Sequence, residues 1–284
     1  MSRLFNDGEG AFSIGYTHQN IDMICSMQSS TSHSNYGKCP ASDFQYRSAS
    51  RSIYETEHRL FATLSSTHYF FGPESPTTFN LFFERKSGLP GTLSFDTFSS
   101  PGRYQTQAFG HERRTNDDSA QLLYIPSGVS DPLVCWVSCT NPNLAVAGEI
   151  LDLLYNTYGL ANYAGQIVPP GAFEFPYQTT LDLKITQVLP GFRDDDEFVI
   201  SLAIENLLNL IDSDKGEIFY GDYTGKIPVL DFQLTSDLSK YIYGNSRGPD
   251  YAFRYNPNDP FDLSKSAVNS IWRAQLGFTY RFSL

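Results

Sequence analysis

Charge is scarce in this 284-residue chain: Asp, Glu, Lys and Arg together make up 18% of it. Methionine and tryptophan are scarcer, at three and two residues. No run of 18 apolar residues occurs, which excludes a transmembrane helix. Residues 1–9, MSRLFNDGE, lack the apolar centre of a signal peptide. The five histidines (His18, His33, His58, His68, His111) show no metal-ligand spacing, and no C-x-x-C pair exists, so the sequence predicts no metal site. A Gly-x-Ser-x-Gly elbow, a Gly-rich phosphate loop and a His-Glu-x-x-His pair are all missing. That removes the common hydrolase, nucleotide-binding and zinc-peptidase readings; no enzymatic activity and no cofactor are expected. A net charge of −11 and a pI near 4.8 argue against a nucleic-acid partner.

Tyrosine and phenylalanine are what the chain has in quantity, 18 and 22 residues. High Tyr and Phe, low charge and a mean hydropathy of −0.30 suit a transmembrane β-barrel, where polar and apolar residues alternate and the apolar signal averages away. A β-rich secreted domain shares this bias. Four cysteines, Cys25, Cys39, Cys135 and Cys139, allow two local disulfides, Cys25–Cys39 and Cys135–Cys139, in an oxidising compartment, with free thiols the alternative. In a straight strand Cys135 and Cys139 would lie about 13 Å apart, so a bridge there needs a turn at Val137 and Ser138.

Alternation with period two is the dominant pattern. Tyr177, Thr179, Leu181, Leu183 and Ile185 fall on one face, and Gln178, Thr180, Asp182, Lys184 and Thr186 on the other. Near the end of the chain Trp272, Ala274, Leu276, Phe278, Tyr280 and Phe282 alternate with Arg273, Gln275, Gly277, Thr279 and Arg281. Four further segments alternate, through Phe12–Tyr16, Leu60–Leu64, Phe79–Phe83 and Phe198–Ile204. The pattern predicts six strands, at 11–19, 59–71, 77–88, 176–188, 197–211 and 270–284. Their connections alternate in length. Gly72 to Pro76 and Leu189 to Asp196 are short, whereas 21–58, 89–175 and 212–269 are long. Bacterial outer-membrane barrels have short periplasmic turns and long outer loops; a soluble sandwich has no reason to keep every second link short. The predicted fold is therefore all-β, a partial antiparallel transmembrane barrel with one helix in a loop.

Among the long links, 21–52 is rich in Ser, Asn and Gln and is expected to run over the surface. Segment 140–163 predicts the helix, with Asn141 as N-cap, Pro142 at the first helical position and Gly159 at the end. Its expected buried stripe is Leu144, Ala147, Leu151, Leu154, Tyr155 and Tyr158. Segment 217–244 predicts an extra hairpin. The acidic run at 194–197 reads as a solvated turn, and 256–262 as a loop with little claim on a metal.

The last strand carries Gln275-x-Gly277-x-x-Tyr280-x-Phe282, which resembles the β-signal read by the barrel assembly machinery; Ser283 and Leu284 then follow, where such signals usually finish on the aromatic. The stretch 198–209, ending Asn206-Leu207-Leu208-Asn209, resembles the penultimate strand of TonB-dependent receptors. Segments 181–192, 12–18, 58–61, 83–88 and 122–126 resemble parts of the Oar-like subgroup of that family, so the likeness spans nearly the whole chain. The resemblance implies a 22-stranded barrel plugged by an N-terminal domain that engages an inner-membrane energy-coupling protein. Residues 1–284 are then expected to be a C-terminal barrel segment, with the plug and earlier strands outside it. It also implies an outer-membrane location and a surface ligand whose identity the sequence does not give.

In that frame Leu181, Leu183, Ile185, Trp272, Leu276 and Phe278 are expected to face lipid, and Tyr177, Tyr280 and Phe282 to sit at its interfaces. Asp182, Lys184, Glu205, Arg273 and Arg281 are expected to face the lumen. His18 and His58 fall at the base of the first long loop, as polar rim residues, with a ligand role as the alternative. Two rival readings remain: a small self-contained barrel, porin-like or structural, with further strands at 91–98 and 227–235, and a secreted β-sandwich binding module.

Overall fold

The computed structural model describes residues 2–5, 9–24, 30, 35, 39–40, 48–96, 122–136, 141–193, 195–219, 226–234, 253–256 and 265–282. The described residues are mostly β-strand, with a smaller share of helix. Its largest element is an antiparallel sheet of seven strands: β1 (Ser2–Phe5), β2 (Gly10–His18), β5 (His58–His68), β6 (Thr77–Lys86), β12 (Gln178–Pro190), β13 (Glu197–Glu205) and β16 (Arg273–Arg281). They lie side by side in chain order, each paired with the next. The sheet is open among the described residues, with β1 and β16 at its edges.

Five of the six expected strands agree to within three residues at each end. The fifth differs. It stops at Glu205 because Asn206 takes φ 54°, ψ 54°, a left-handed conformation that ends the strand. Residues 207–211 continue as a short helix rather than as strand. The sixth begins at Arg273, after a helical turn at Ala267–Ser270, so the protein has more than the one helix expected. Strand β1 is additional to the six; four residues are too few to show a period. Its link to β2, residues 6–9, adds a third short connection at the same end of the sheet as 69–76 and 191–196.

The hydrophobic core is not in this wall. It lies in the long connections, where residues of β7 (Pro90–Asp96), β8 (Tyr124–Ile125), β9 (Val134–Trp136), β10 (Gln166–Ile167), β11 (Phe173–Glu174) and β14 (Lys226–Leu234) form one cluster with the helix Leu144–Asp152, and β15 (Phe253–Asn256) pairs between β14 and β9. Leu93, Leu123, Ile125, Trp136, Ile150, Leu154, Val168 and Ile227 are essentially inaccessible to solvent. The expected extra strands near 91–98 and 227–235 exist, as β7 and β14, but they pair in parallel with each other within a five-stranded sheet, in the order β11–β7–β14–β15–β9. Antiparallel wall strands cannot be drawn from a parallel pair, so the smaller barrel assembled from those segments is not what forms. Of the hairpin expected within 217–244, one strand is described, β14; its antiparallel partner β15 lies beyond that segment.

The loop helix is shorter than expected. Asn143, not Asn141, caps it, its side-chain oxygen accepting from the N–H groups of Ala145 and Val146. A π-helical turn at Leu153–Thr157 follows, and Gly159 then takes φ 69°. Ile150 replaces Leu144 on the buried stripe: Leu144, in the first turn, is exposed, whereas Ala147, Ile150, Leu154 and Tyr158 are buried. A short pair, β3 (Asp22–Met23) with β4 (Ser50–Arg51), closes the base of the first long connection. That connection is not wholly superficial, since Asn35, Cys39, Ser52 and Glu55 are buried. Cys39 is disulfide-bonded; Cys25 and Cys139 lie outside the described residues, as does the side chain of Cys135.

Candidate functional site: a two-faced wall and its rim

The register turns the alternation of single strands into rows that cross the sheet. One row runs Phe12, Leu64, Leu81, Leu183, Ile204, Ala274 over six strands. The row beside it on the same face runs Phe79, Ile185, Leu202, Leu276, and another runs Ile14, Ala62, Phe83, Leu181. Offset by one residue, the opposite face reads Ala11, Ser65, Asn80, Lys184, Ala203, Gln275. A one-residue slip in any strand would exchange its faces.

Among the described residues nothing is packed over the apolar face, whose side chains are half-exposed to exposed. Leu64 is 43% exposed, Leu276 59% and Phe278 62%. Contiguous exposed apolar surface of this extent is unusual on a water-soluble monomer. The polar face holds ion pairs between neighbouring strands: Arg59 with Glu84 at 2.6 Å, Arg273 with Glu205 at 3.2 Å and Arg281 with Glu197 at 3.2 Å. Asp182 accepts from the Asn206 N–H at 2.8 Å. The five residues expected on the lumen side thus share one face, and Leu181, Leu183, Ile185, Leu276 and Phe278 share the other.

Aromatic side chains mark both ends of the wall. Tyr69, Phe70, Phe71, Phe192, Tyr280 and Phe282 are exposed at the short-turn end, and Tyr16, Tyr177 and Trp272 at the other. The Arg85 guanidinium stands 5.4 Å from the centre of the Tyr177 ring. Within the stretch that resembles a β-signal, Tyr280 also locks the neighbouring turn. Its hydroxyl donates to Asp196 and accepts from the Phe192 N–H. Asp196 is buried by this lock, so the acidic turn is not uniformly solvated as expected. Gly277 sits opposite Ser201, whose Oγ would lie 2.6 Å from an added Cβ.

The Asn206-Leu207-Leu208-Asn209 motif also has a structural cause. Asn206 is buried, and its side-chain amide donates to the carbonyls of Gly216 and Ser270, both at 2.9 Å. It fastens the end of β13 to the two ends of the third long connection. Gly216, at φ 65°, has no room for a side chain, because a Cβ would lie 2.0 Å from Asn206 Oδ1. Beside it a cleft of about 320 Å³ opens at the rim, lined by Tyr177, Thr179, Leu208, Lys215, Glu217 and Phe219.

Two polar hubs hold the long connections. Arg51 reaches Glu55 at 2.5 Å, Glu57 at 2.7 Å and Glu174 at 3.0 Å, joining the first long connection to the second. In the core module Asp131 accepts from the N–H groups of Ser127 and Leu133 and from the hydroxyls of Tyr124 and Ser127. Burial alone would raise the Asp131 carboxyl, but those four donors outweigh it and hold it below the usual carboxylate value. Tyr124 is pushed up to about 12, first by burial and then by its bond to Asp131. Sequence reasoning misses both hubs; it places His18 and His58 at the base of the same loop, but not their direct pairing on β2 and β5.

No family model matches the chain, and searches of curated proteins and of solved structures found no significant match.

Proposed function

We propose that this chain forms part of the wall of an outer-membrane β-barrel of the TonB-dependent receptor type, similar to the Oar-like subgroup. The observation that carries this reading is the sheet with one uncovered apolar face and one ion-paired polar face, maintained in register over six to seven strands. Hydrocarbon accepts the first face and a water-filled or plugged lumen the second. Short turns at one end and a folded module at the other fit periplasmic and outer sides. The exposed aromatics at both ends fit interfacial girdles. A disulfide at Cys39 fits an oxidising compartment.

In this reading further strands pair with the free edges of β1 and β16, and a plug domain couples the barrel to an inner-membrane partner. The module in the long connections meets a ligand outside the cell, and the residues around Tyr280 serve the assembly machinery. Single-cysteine labelling tests the orientation in the receptor within its native membrane. Cysteines at Leu183 and Phe278 are expected to react with a lipid-soluble maleimide and resist a membrane-impermeant one; Lys184 and Thr279 are expected to do the opposite. The reverse pattern, or equal reactivity at all four, rules the reading out.

A further inference from the structure

The pairing of β2 with β5 sets His18 against His58, and Glu57 lies one residue before β5. One ligand-type atom from each of the three lies within 4.8 Å of the others. We propose that His18, Glu57 and His58 form a binding site for a borderline divalent transition metal, with Zn²⁺ the expected ion, at the base of the first long connection. The site stands whether or not the sheet lies in a membrane.

Three features carry it beyond proximity. The first is the state of the rings. His18 Nδ1 lies 3.0 Å from the Glu57 carbonyl oxygen, which can only accept; Nδ1 must therefore carry the proton, and the neutral ring keeps a lone pair on Nε2. His58 Nδ1 lies 2.8 Å from the Tyr16 hydroxyl, which can accept a hydrogen bond from it, again leaving Nε2 for a metal. Metal-bound histidines are commonly oriented in this way, one nitrogen held by an oxygen and the other on the ion. The second is spacing. Tetrahedral zinc with bonds of about 2.0–2.2 Å sets its donors roughly 3.4 Å apart. His58 Nε2 and Glu57 Oε1 are already 3.3 Å apart, and the His18 ring stacks on the His58 ring at 5.0 Å between centres. The three donors lie within 4.8 Å of one another, so His18 has to move closer by roughly 1 Å to complete the set.

The third is charge. Arg51 engages the other carboxylate oxygen of Glu57, Oε2, at 2.7 Å, leaving Oε1 turned to His58. That guanidinium also meets Glu55 and Glu174, so one cation stands among three carboxylates and the neighbourhood stays negative. Two imidazoles with one carboxylate favour Zn²⁺, Co²⁺ or Ni²⁺ over Ca²⁺ or Mg²⁺, which prefer oxygen donors. Three protein donors leave a fourth position for water or an outside donor.

The test is titration of the full chain in detergent with Zn²⁺, read by competition with a chromophoric chelator. One equivalent is expected to bind, with affinity reduced at least about tenfold in His18→Ala and in His58→Ala. Tyr16→Phe, which touches no metal, is expected to weaken binding by roughly the same factor through His58. His68→Ala, at the other end of β5, is expected to bind as the parent does. In the unaltered chain, imidazole ¹⁵N signals of His18 and His58 should shift at Nε2 on adding Zn²⁺, whatever the variants' folding. Binding that persists unchanged in both histidine variants, or ¹⁵N signals that ignore the ion, would overturn the site.

Discussion

At the scale of single residues, Asp131 and Asn206 carry more than their size suggests. Asp131→Asn leaves the donors around it imperfectly paired and is expected to destabilise the core module by about 1–3 kcal/mol, measured by thermal or urea unfolding. Its carboxyl is depressed in the folded state. Its stabilisation is therefore complete above the unfolded value of about 3.9 and is lost as pH falls through the lower folded value. Parent protein is expected to lose module stability in that acid range, and Asp131→Asn to show a flatter profile there. At Asn206 the backbone is left-handed. Asn206→Gly and Asn206→Ala both lose the bonds to Gly216 and Ser270, but Ala adds about 1 kcal/mol or more of backbone strain. Urea midpoints should therefore rank parent, then Gly, then Ala. Nothing in the sequence distinguishes Asp131 from other acidic residues, because its donors come from the fold of residues 124–133. The Asn206 motif is visible as a resemblance, yet its left-handed turn is not, and the alternation therefore reads as strand on to 211.

Among elements, the ion pairs between β13 and β16 offer a test of register. Glu205→Arg places like charges opposite each other, and the double change Glu205→Arg with Arg273→Glu restores the pair. Each pair is well exposed, so the coupling is expected to stay within about 1 kcal/mol, read as a double-mutant cycle on unfolding. Six of the seven wall strands, all but β1, are legible because each is long enough to repeat a two-residue period several times, as from Thr179 to Ile185 and from Ala274 to Tyr280. The module is not. Its strands at Tyr124–Ile125, Gln166–Ile167 and Phe173–Glu174 have two residues each, and β7 pairs with β14 across more than a hundred residues of chain. His18 and His58 are likewise 40 positions apart, joined by a link whose length does not set register. Only their shared phase with Tyr16 and Leu60 hints that they face the same way.

For the molecule as a whole, Leu183 separates the readings energetically. In a bilayer Leu183→Arg near mid-depth is expected to cost about 2–4 kcal/mol of folding stability. On a surface facing water the same change stays within about 0.5 kcal/mol. Refolding into lipid vesicles across a urea series measures which applies. Leu4→Arg, on the opposite face of the sheet, is the matched control expected to change little.

The placement of the buried core in the long connections has a calorimetric consequence. Residues such as Trp136, Ile150 and Leu154 leave water when the protein folds, so their melting must carry a large positive heat capacity. In the proposed membrane setting the sheet's greasy side merely trades one apolar neighbour for another and carries far less. Scanning calorimetry should therefore resolve two endotherms. The one with the steep heat-capacity step belongs to the crown, and it should survive exchange of the surrounding amphiphile while the other shifts.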